Sequence, residues 1–268
     1  MNCQVDIIII GDSKDGNEAL KNLAATNPKI KVAFISREFK STTTHDYLNV
    51  EYIKEEVIFT DYKNRLFGCY LKNGDRIYGT HLIIATGLQY EPLTVHNKQV
   101  PCVFNTADDI PKNSKNQPAI VIGNNNIDVK LALAVAKKYK YVYLCTSSLN
   151  IKDITSANAR KLREAKNIQI LPNTSILKVH VKEDILQKVD LDNYSTITCS
   201  AIYVKTASKP ESAFVSDKLI KKDIFGYLEV ANNAESTIVP KCFAIGNCAN
   251  KYTKKRSQLM VESILNDF

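Results

Sequence analysis

Two short aliphatic runs, each closed by a glycine and followed by a helical pattern, constrain the fold more than any other feature of the sequence. The first is VDIIIIG at 5–11 and the second is AIVIG at 119–123. Each is followed by apolar residues at helical spacing, over 18–25 and 127–138. Continuous apolar runs of this length are typical of parallel strands buried on both faces of a sheet. The repeated order of strand, turn, helix and strand therefore predicts two α/β units of similar plan.

The remaining segments complete each unit with a small antiparallel part. Alternating residues interrupted by turn sequences predict one meander over 52–79 and another over 175–190. The run HLIIATG at 81–87 predicts a further parallel strand of the first unit. Near the end of the chain, strands are predicted at 226–230 and 242–246, and a last helix is predicted from about Ser257.

The composition is that of a globular protein with reduced thiols. Hydrophobic residues make up 44% and charged residues 24% of the 268, enough for one large core or two modest ones. No apolar run is long enough to span a membrane, and the apolar opening is too short for a signal peptide. The seven cysteines never occur as Cys-x-x-Cys, which argues against a disulfide framework, a zinc site or a redox pair. A cytoplasmic location is expected.

The net charge of the chain gives little evidence about its binding partners. The net charge is +8, but the basic residues are mostly dispersed lysines, so nucleic acid is not an expected partner. The densest cluster, Lys251 with Lys254, Lys255 and Arg256, is either a solvated face or a guide for an acidic electron-transfer protein. The four histidines have no metal-ligand spacing, and no metal site is expected.

The first glycine turn has a spacing associated with phosphate binding. It reads Gly11-x-Ser13-x-x-Gly16, which is Gly-x-Gly-x-x-Gly with serine in the middle place. A helix N-terminus offers free N–H groups to anions, and glycine lets a phosphate approach the backbone. A plain turn from strand to helix has the same appearance, so the spacing alone leaves both alternatives open.

The order of these motifs, together with GYLEVANNAESTIVPKCFAIGNCAN at 226–250, resembles the two-dinucleotide-binding flavoprotein oxidoreductases. Within that group the chain is most similar to the thioredoxin reductase-like branch of the pyridine nucleotide-disulfide oxidoreductases. The segment from Thr237 to Asn247 matches the family pattern T-x-V-P-x-x-F-A-x-G-D except at the final aspartate. The resemblance extends over nearly the whole chain, but the redox-active Cys-x-x-Cys of thioredoxin reductase is missing.

The resemblance implies a discontinuous architecture. Two Rossmann-like three-layer α/β domains are expected, the second inserted in the first, each with a small antiparallel meander. Residues 1–90 and 212–268 would form the FAD-binding-like domain, and residues 91–211 the NAD(P)-binding-like domain. A homodimer is also implied, because dimers are common in the family.

The resemblance assigns FAD contacts to residues of the first domain. Ser13, Ser36 and Asn247 stand where the family has glycine, an acidic residue and aspartate, and Glu38 follows two residues after Ser36. These substitutions are small, so FAD is expected to be retained. The residues assigned to FAD are Gly11, Ser13, Gly16, Glu38, Val57, Thr86, Gly87, Gly246, Asn247 and Lys254.

The second turn departs further from the family pattern. Gly123 is followed by three asparagines, so Asn125 stands where a second glycine would approach the NAD(P) pyrophosphate. No arginine for a 2′-phosphate follows the next strand. Gly123 and Asn125 are the residues assigned to NAD(P)H. The asparagine in place of glycine and the missing arginine argue against binding of this nucleotide.

Two functions follow as alternatives. The first is an FAD-dependent NAD(P)H oxidoreductase that passes electrons to an external acceptor without a redox-active disulfide. The second is a degenerate family member that has lost NAD(P)H binding, with or without loss of FAD binding, and acts as a non-catalytic binding or interaction protein. No catalytic acid or base is identified.

Overall fold

The structure is a computed structural model that describes residues 2–39, 47–96, 98–111, 117–183, 185–250 and 253–268. The chain divides into two compact units. Unit 1 consists of Met1–Gln89 and Ser208–Phe268, and unit 2 of Tyr90–Ala207.

The first passage of the chain through unit 1 forms one helix and seven strands. In chain order they are β1 (Asn2–Ile10), α1 (Lys14–Thr26), β2 (Val32–Ser36), β3 (Val50–Lys54), β4 (Val57–Lys63), β5 (Leu66–Leu71), β6 (Arg76–Ile84) and β7 (Leu88–Tyr90).

Unit 2 contains two helices between short strands. They are β8 (Thr94–Val95), β9 (Lys98–Gln99), β10 (Val103–Phe104), β11 (Ala119–Ile122), α2 (Asn126–Ala136), β12 (Val142–Cys145), α3 (Ser156–Glu164), β13 (Ile168–Leu171), β14 (Ile176–Lys182), β15 (Ile185–Leu191), β16 (Thr196–Thr198) and β17 (Ala201–Val204).

The return to unit 1 adds two strands, a short 3-10 turn at Gly246–Cys248 and a last helix. The elements are β18 (Ser208–Pro210), β19 (Cys242–Ala244) and α4 (Lys254–Leu265).

Unit 1 is built on a seven-stranded mixed sheet. Its order is β3-β2-β1-β6-β5-β4, with β19 also paired to β6. The pairs of β1 with β2 and β6, of β2 with β3 and of β19 with β6 are parallel, whereas β4, β5 and β6 form the predicted antiparallel meander. In β1, Ile8 and Ile10 enter one core, and Ile7 and Ile9 enter the core on the other face. This two-sided burial explains why the strand reads as a continuous aliphatic run.

Unit 2 repeats the plan with shorter elements. Its five-stranded sheet has the order β10-β17-β11-β12-β13, and every pair in it is parallel. A three-stranded antiparallel sheet, β14-β15-β16, is the second predicted meander. Val121 and Val129, both fully buried, belong to one core with residues of β12 and β17.

Four predicted elements differ from the structure. The end of the first predicted meander and the strand predicted at 81–87 form one strand, β6, and the strand predicted at 242–246 ends at Ala244. Residues 226–230 do not form a strand; Leu228 and Val230 make only isolated bridges, because the pairing changes partner after each residue. Helix α4 begins at Lys254 rather than near Ser257, because the Thr253 side chain accepts a hydrogen bond from the backbone N–H of Arg256 and caps the helix earlier.

No helix among the described residues is long and apolar enough to cross a membrane. The described ranges also contain no group of three or more His, Cys, Asp or Glu side chains arranged to hold a metal ion.

Candidate functional site

Three parallel strands of unit 1, β1, β6 and β19, end side by side at one edge of the sheet. Ile84 at the end of β6 is in register with Ile10 of β1 and with Ala244 of β19. The Ala85 N–H donates to the Ile10 carbonyl over 2.7 Å, and the Ile245 N–H donates to the Ile84 carbonyl over 2.9 Å. The loops that leave these strands therefore begin at one edge of the sheet, where α/β proteins commonly bind ligands. We call this edge the first crevice.

Each loop of the first crevice contains a glycine in the left-handed region. The φ angles are 110° at Gly11, 72° at Gly87 and 76° at Gly246. A Cβ on Gly11 would lie 2.5 Å from the Ala85 carbonyl oxygen, and one on Gly16 would lie 2.3 Å from the Gly11 carbonyl oxygen. Only glycine permits this close approach of β1, β6 and α1. The structure thus brings the predicted residues Gly11 and Gly16 together beside the loop that contains Thr86.

Ser13 caps helix α1. Its Oγ accepts a hydrogen bond of 3.1 Å from the Gly16 N–H, and its backbone is extended with φ −77°. Serine at this position therefore supplies one of the acceptors that the first turn of a helix lacks. It takes up one amide of the turn that the sequence assigns to phosphate binding.

Two carboxylates lie in the same turn. Asp12 is buried and accepts a hydrogen bond of 2.5 Å from the Asn17 side-chain amide. Asp15 stands against Gly246, since a Cβ on that glycine would be 2.8 Å from Asp15 Oδ2. The space beside Gly87 is open, whereas Asp15 fills the space beside Gly246, so an anion could lie there only after this carboxylate turned away.

The end of β2 carries a cation rather than an acid. Arg37 forms an ion pair with Glu211 and lies 3.9 Å from a Glu56 carboxylate oxygen. Glu211 also joins the first crevice through its backbone, because its carbonyl accepts a hydrogen bond of 2.6 Å from Thr86 Oγ1. Glu38 is exposed, and its carbonyl accepts a hydrogen bond of 2.8 Å from Ser36 Oγ.

The other residues assigned to FAD are spread more widely. Val57 begins β4 and is buried in the core of unit 1. Asn247 is exposed and lies in the 3-10 turn directly after Gly246. Lys254 is the first residue of α4, and its side chain lies outside the described part of the structure. Lys251, at the start of the basic cluster, is outside the described residues.

In unit 2, the predicted residues Gly123 and Asn125 lie in the turn between β11 and α2. Asn125 caps α2, and its Oδ1 accepts hydrogen bonds from the backbone N–H groups of Ile127 and Asp128 over 2.7 and 3.2 Å. The Asp128 carboxylate in turn accepts a hydrogen bond of 3.1 Å from the backbone N–H of Asn125. The sequence reasoning missed Asp128, although Asn-x-x-Asp has the spacing of a capping box.

The cysteines do not provide a redox pair. All seven are free thiols, and Cys69, Cys145, Cys199, Cys242 and Cys248 are buried. Burial raises the pKa of Cys145 and of Cys199 to about 12 and raises that of Cys248. Because the thiolate is the reactive form, these side chains are packing residues at neutral pH.

Comparison with known proteins agrees with this geometry. Residues 8–264 match the model of the pyridine nucleotide-disulphide oxidoreductases. The chain belongs to this family, as its sequence predicts.

Within the family it is similar to thioredoxin reductases. It is 24% identical over 216 residues to the thioredoxin reductase of Chlamydia pneumoniae, a match that covers 76% of this chain and 68% of that protein. Crystal structures of the thioredoxin reductases from Lactococcus lactis (FR conformation) and T. acidophilum have the same fold. Each has a TM-score of 0.67, 16% identity and 98% coverage of both chains. The predicted fold class of two Rossmann-like α/β domains is confirmed.

Proposed function

We propose that this chain is an FAD-dependent oxidoreductase that passes electrons to an external acceptor without an internal disulfide. The observation that carries the proposal is the first crevice, in which Gly11, Gly87 and Gly246 follow three adjacent parallel strands with left-handed backbones. Bare backbone at the carboxyl ends of parallel strands is how α/β domains admit a dinucleotide. The family likeness supports the same assignment.

Within this proposal the predicted residues contact different parts of FAD, according to where they lie in unit 1. Gly11, Ser13 and Gly16 would hold the diphosphate at the start of α1, where the helix dipole favours anions. The ribityl chain and flavin would lie along the loops of the first crevice and the start of α4. The residues assigned to these loops, to the adenosine and to α4 are Thr86, Gly87, Gly246, Asn247, Glu38, Val57 and Lys254. When bound, FAD would supply the electron-accepting and electron-donating chemistry that the protein side chains lack.

The acceptor is proposed to be external because the sequence has no Cys-x-x-Cys pair for a relay and five of the seven thiols are buried. The relatives are named thioredoxin reductases, but the burial of five cysteines and the absence of Cys-x-x-Cys argue against dithiol exchange in this chain. An electron-transfer protein with an acidic surface is the proposed partner, given the charge of +8. A cytoplasmic homodimer, with residues 1–90 and 212–268 binding FAD and 91–211 resembling an NAD(P) domain, completes the proposal.

Flavin absorbance of the purified protein tests the proposal. We expect a yellow protein, or an apoprotein that becomes yellow on incubation with FAD. Asp15→Asn should bind FAD several-fold more tightly than the wild type, because it removes a negative charge beside Gly246. Asp108→Asn is the matched control, since this carboxylate is exposed and belongs to unit 2. If neither the wild type nor Asp15→Asn takes up FAD, the proposal is wrong.

A second candidate is the non-catalytic family member. The observation that favours it is the pair of carboxylates, Asp12 and Asp15, in the turn that would receive the diphosphate. Such a protein would be colourless, would not change its melting temperature when FAD is added, and would keep its fold without any nucleotide. The same absorbance and melting measurements therefore separate the two candidates.

A further inference from the structure

The turn of unit 2 binds an anion that belongs to the chain itself. Asp128 has a residual exposure of 5%, and its Oδ2 accepts hydrogen bonds from the backbone N–H groups of Asn124 and Asn125 over 2.8 and 3.1 Å. Two consecutive amides aimed at one oxygen form the kind of concave donor site that phosphates occupy in nucleotide-binding proteins. Here the oxygen is a carboxylate oxygen of the following helix.

The carboxylate also fills the space beside the glycine. A Cβ on Gly123 would lie 2.1 Å from Asp128 Cγ and 2.3 Å from its Oδ2, so the carboxylate is packed directly against the glycine α-carbon. In dinucleotide-binding turns the first glycine serves the tight turn from strand to helix, and the pyrophosphate approaches the second glycine, whose place Asn125 takes here. The bare backbone of Gly123 is therefore used to admit Asp128.

All three asparagines of the turn are engaged in contacts within unit 2. Asn124 donates through its side-chain amide to Ser148 Oγ over 2.8 Å, which joins the loop after β11 to the loop after β12. Asn125 caps α2 through the amides of Ile127 and Asp128. Asn126 Oδ1 accepts from the Asn158 side-chain amide of α3 over 2.8 Å. The donors and the space that a nucleotide would use are thus both taken.

We propose that Asp128 is an internal substitute for the nucleotide phosphate, and that unit 2 does not bind NADH or NADPH through this turn. The occupation of the turn does not depend on what unit 1 binds.

Direct titration of the wild-type protein is the first test. NADH and NADPH fluorescence is measured as protein is added, with and without inorganic pyrophosphate. We expect no saturable change up to millimolar nucleotide. Saturable binding of either nucleotide within this concentration range, with competition by pyrophosphate, would overturn the inference. Flavin content is read separately at its visible absorbance, so this result is independent of the test of the proposed function.

Asp128→Ala tests whether the carboxylate stands in the place of a phosphate. The variant should melt several degrees below the wild type, because the Asn124 and Asn125 amides lose their acceptor. Inorganic pyrophosphate should restore most of that loss in the variant and leave the wild type unchanged, each compared with sodium chloride at equal ionic strength.

Thr155→Ala is the matched control. Thr155 caps α3 in the same unit through the Asn158 N–H, but no carboxylate is involved in that cap. It should lower the melting temperature without any response to pyrophosphate. If Asp128→Ala melts like the wild type, or loses stability that pyrophosphate does not restore, the carboxylate is not a phosphate substitute. If Asp128→Ala does not fold, Asp128→Asn takes its place in the same comparison, and the wild-type titration decides independently.

Discussion

Adding one methyl group at Gly123 should destabilise unit 2 strongly, and only because Asp128 is there. In Gly123→Ala the new carbon would lie 2.1 Å from Asp128 Cγ and 2.3 Å from its Cβ, far inside the ordinary carbon–carbon contact distance of about 3.5–4.0 Å. Asp128 would have to leave the turn, and both of its backbone hydrogen bonds would be lost. At about 1.5–3 kcal/mol for each bond to a charged group, the expected cost is about 3–6 kcal/mol.

The same methyl group should be tolerated when Asp128 is replaced by glycine. The three atoms nearest to the added carbon all belong to the Asp128 side chain, and Gly123 is not in the left-handed region. In the Asp128→Gly background, Gly123→Ala should therefore cost less than about 1 kcal/mol. The double-mutant cycle should give a coupling energy of at least about 2 kcal/mol.

These energies are measured by urea unfolding of the wild type, the two single variants and the double variant. Hydrogen exchange of the α2 peptides assigns the change to unit 2. Gly74→Ala is the control. Its φ is 91°, and no atom lies within 4 Å of the added carbon, so only backbone strain of about 1–2 kcal/mol is expected. An equal cost of Gly123→Ala in both backgrounds would refute the reasoning, because Gly123 would then be required for its backbone alone.

Three further predictions concern other parts of the molecule. Gly11→Ala should lower the unfolding free energy by about 3 kcal/mol or more in urea titrations, because the added carbon clashes with Ala85 and the backbone is also in the left-handed region. Gly87→Ala should cost only about 1–2 kcal/mol, because its φ is 72° but the space around the added carbon is open. A thiol reagent at pH 8 should label Cys3 and Cys102 at most in the folded protein and all seven cysteines in urea, and rapid labelling of three or more would contradict the burial. Burial lowers the pKa of His81, so the folded state favours the neutral ring and the melting temperature should fall as the pH drops below about 6.5; His81→Gln should lose this slope.

Much of the fold could be predicted because the aliphatic runs are long and end at glycine. The strand before Gly11 and the strand before Gly123 each occur where their patterns indicate, since burial on both faces leaves a continuous signal. Residues 226–230 also alternate, but their partners change from residue to residue. Pairing is a property of the neighbours, and the sequence of one segment does not contain it.

The position of the candidate site could be predicted from the sequence, but only one of the two carboxylates inside its turns could. The glycines identify the edge of the sheet where the loops meet, because only glycine adopts their backbone. Asp15 contacts Gly246 and Asp128 contacts Gly123, but neither pair is adjacent in the sequence, and both contacts depend on where α1 and α2 begin. Ser13 and Asn125 determine those helix starts as N-caps. The Asn-x-x-Asp spacing at 125–128 is that of a capping box, so the sequence itself indicates the contact of Asp128. Asp15 has no such pattern, because the glycine it contacts, Gly246, is distant in the sequence.

The turn completed by Asp128 has a consequence for how this protein matures in a cell. A domain whose backbone amides need a small molecule as hydrogen-bond acceptor becomes more stable as the concentration of that molecule rises. Here the acceptor is encoded in the chain, at a fixed effective concentration. Unit 2 should therefore reach its native state during synthesis at any metabolic condition, and its abundance should not follow the rise and fall of the nucleotide pool.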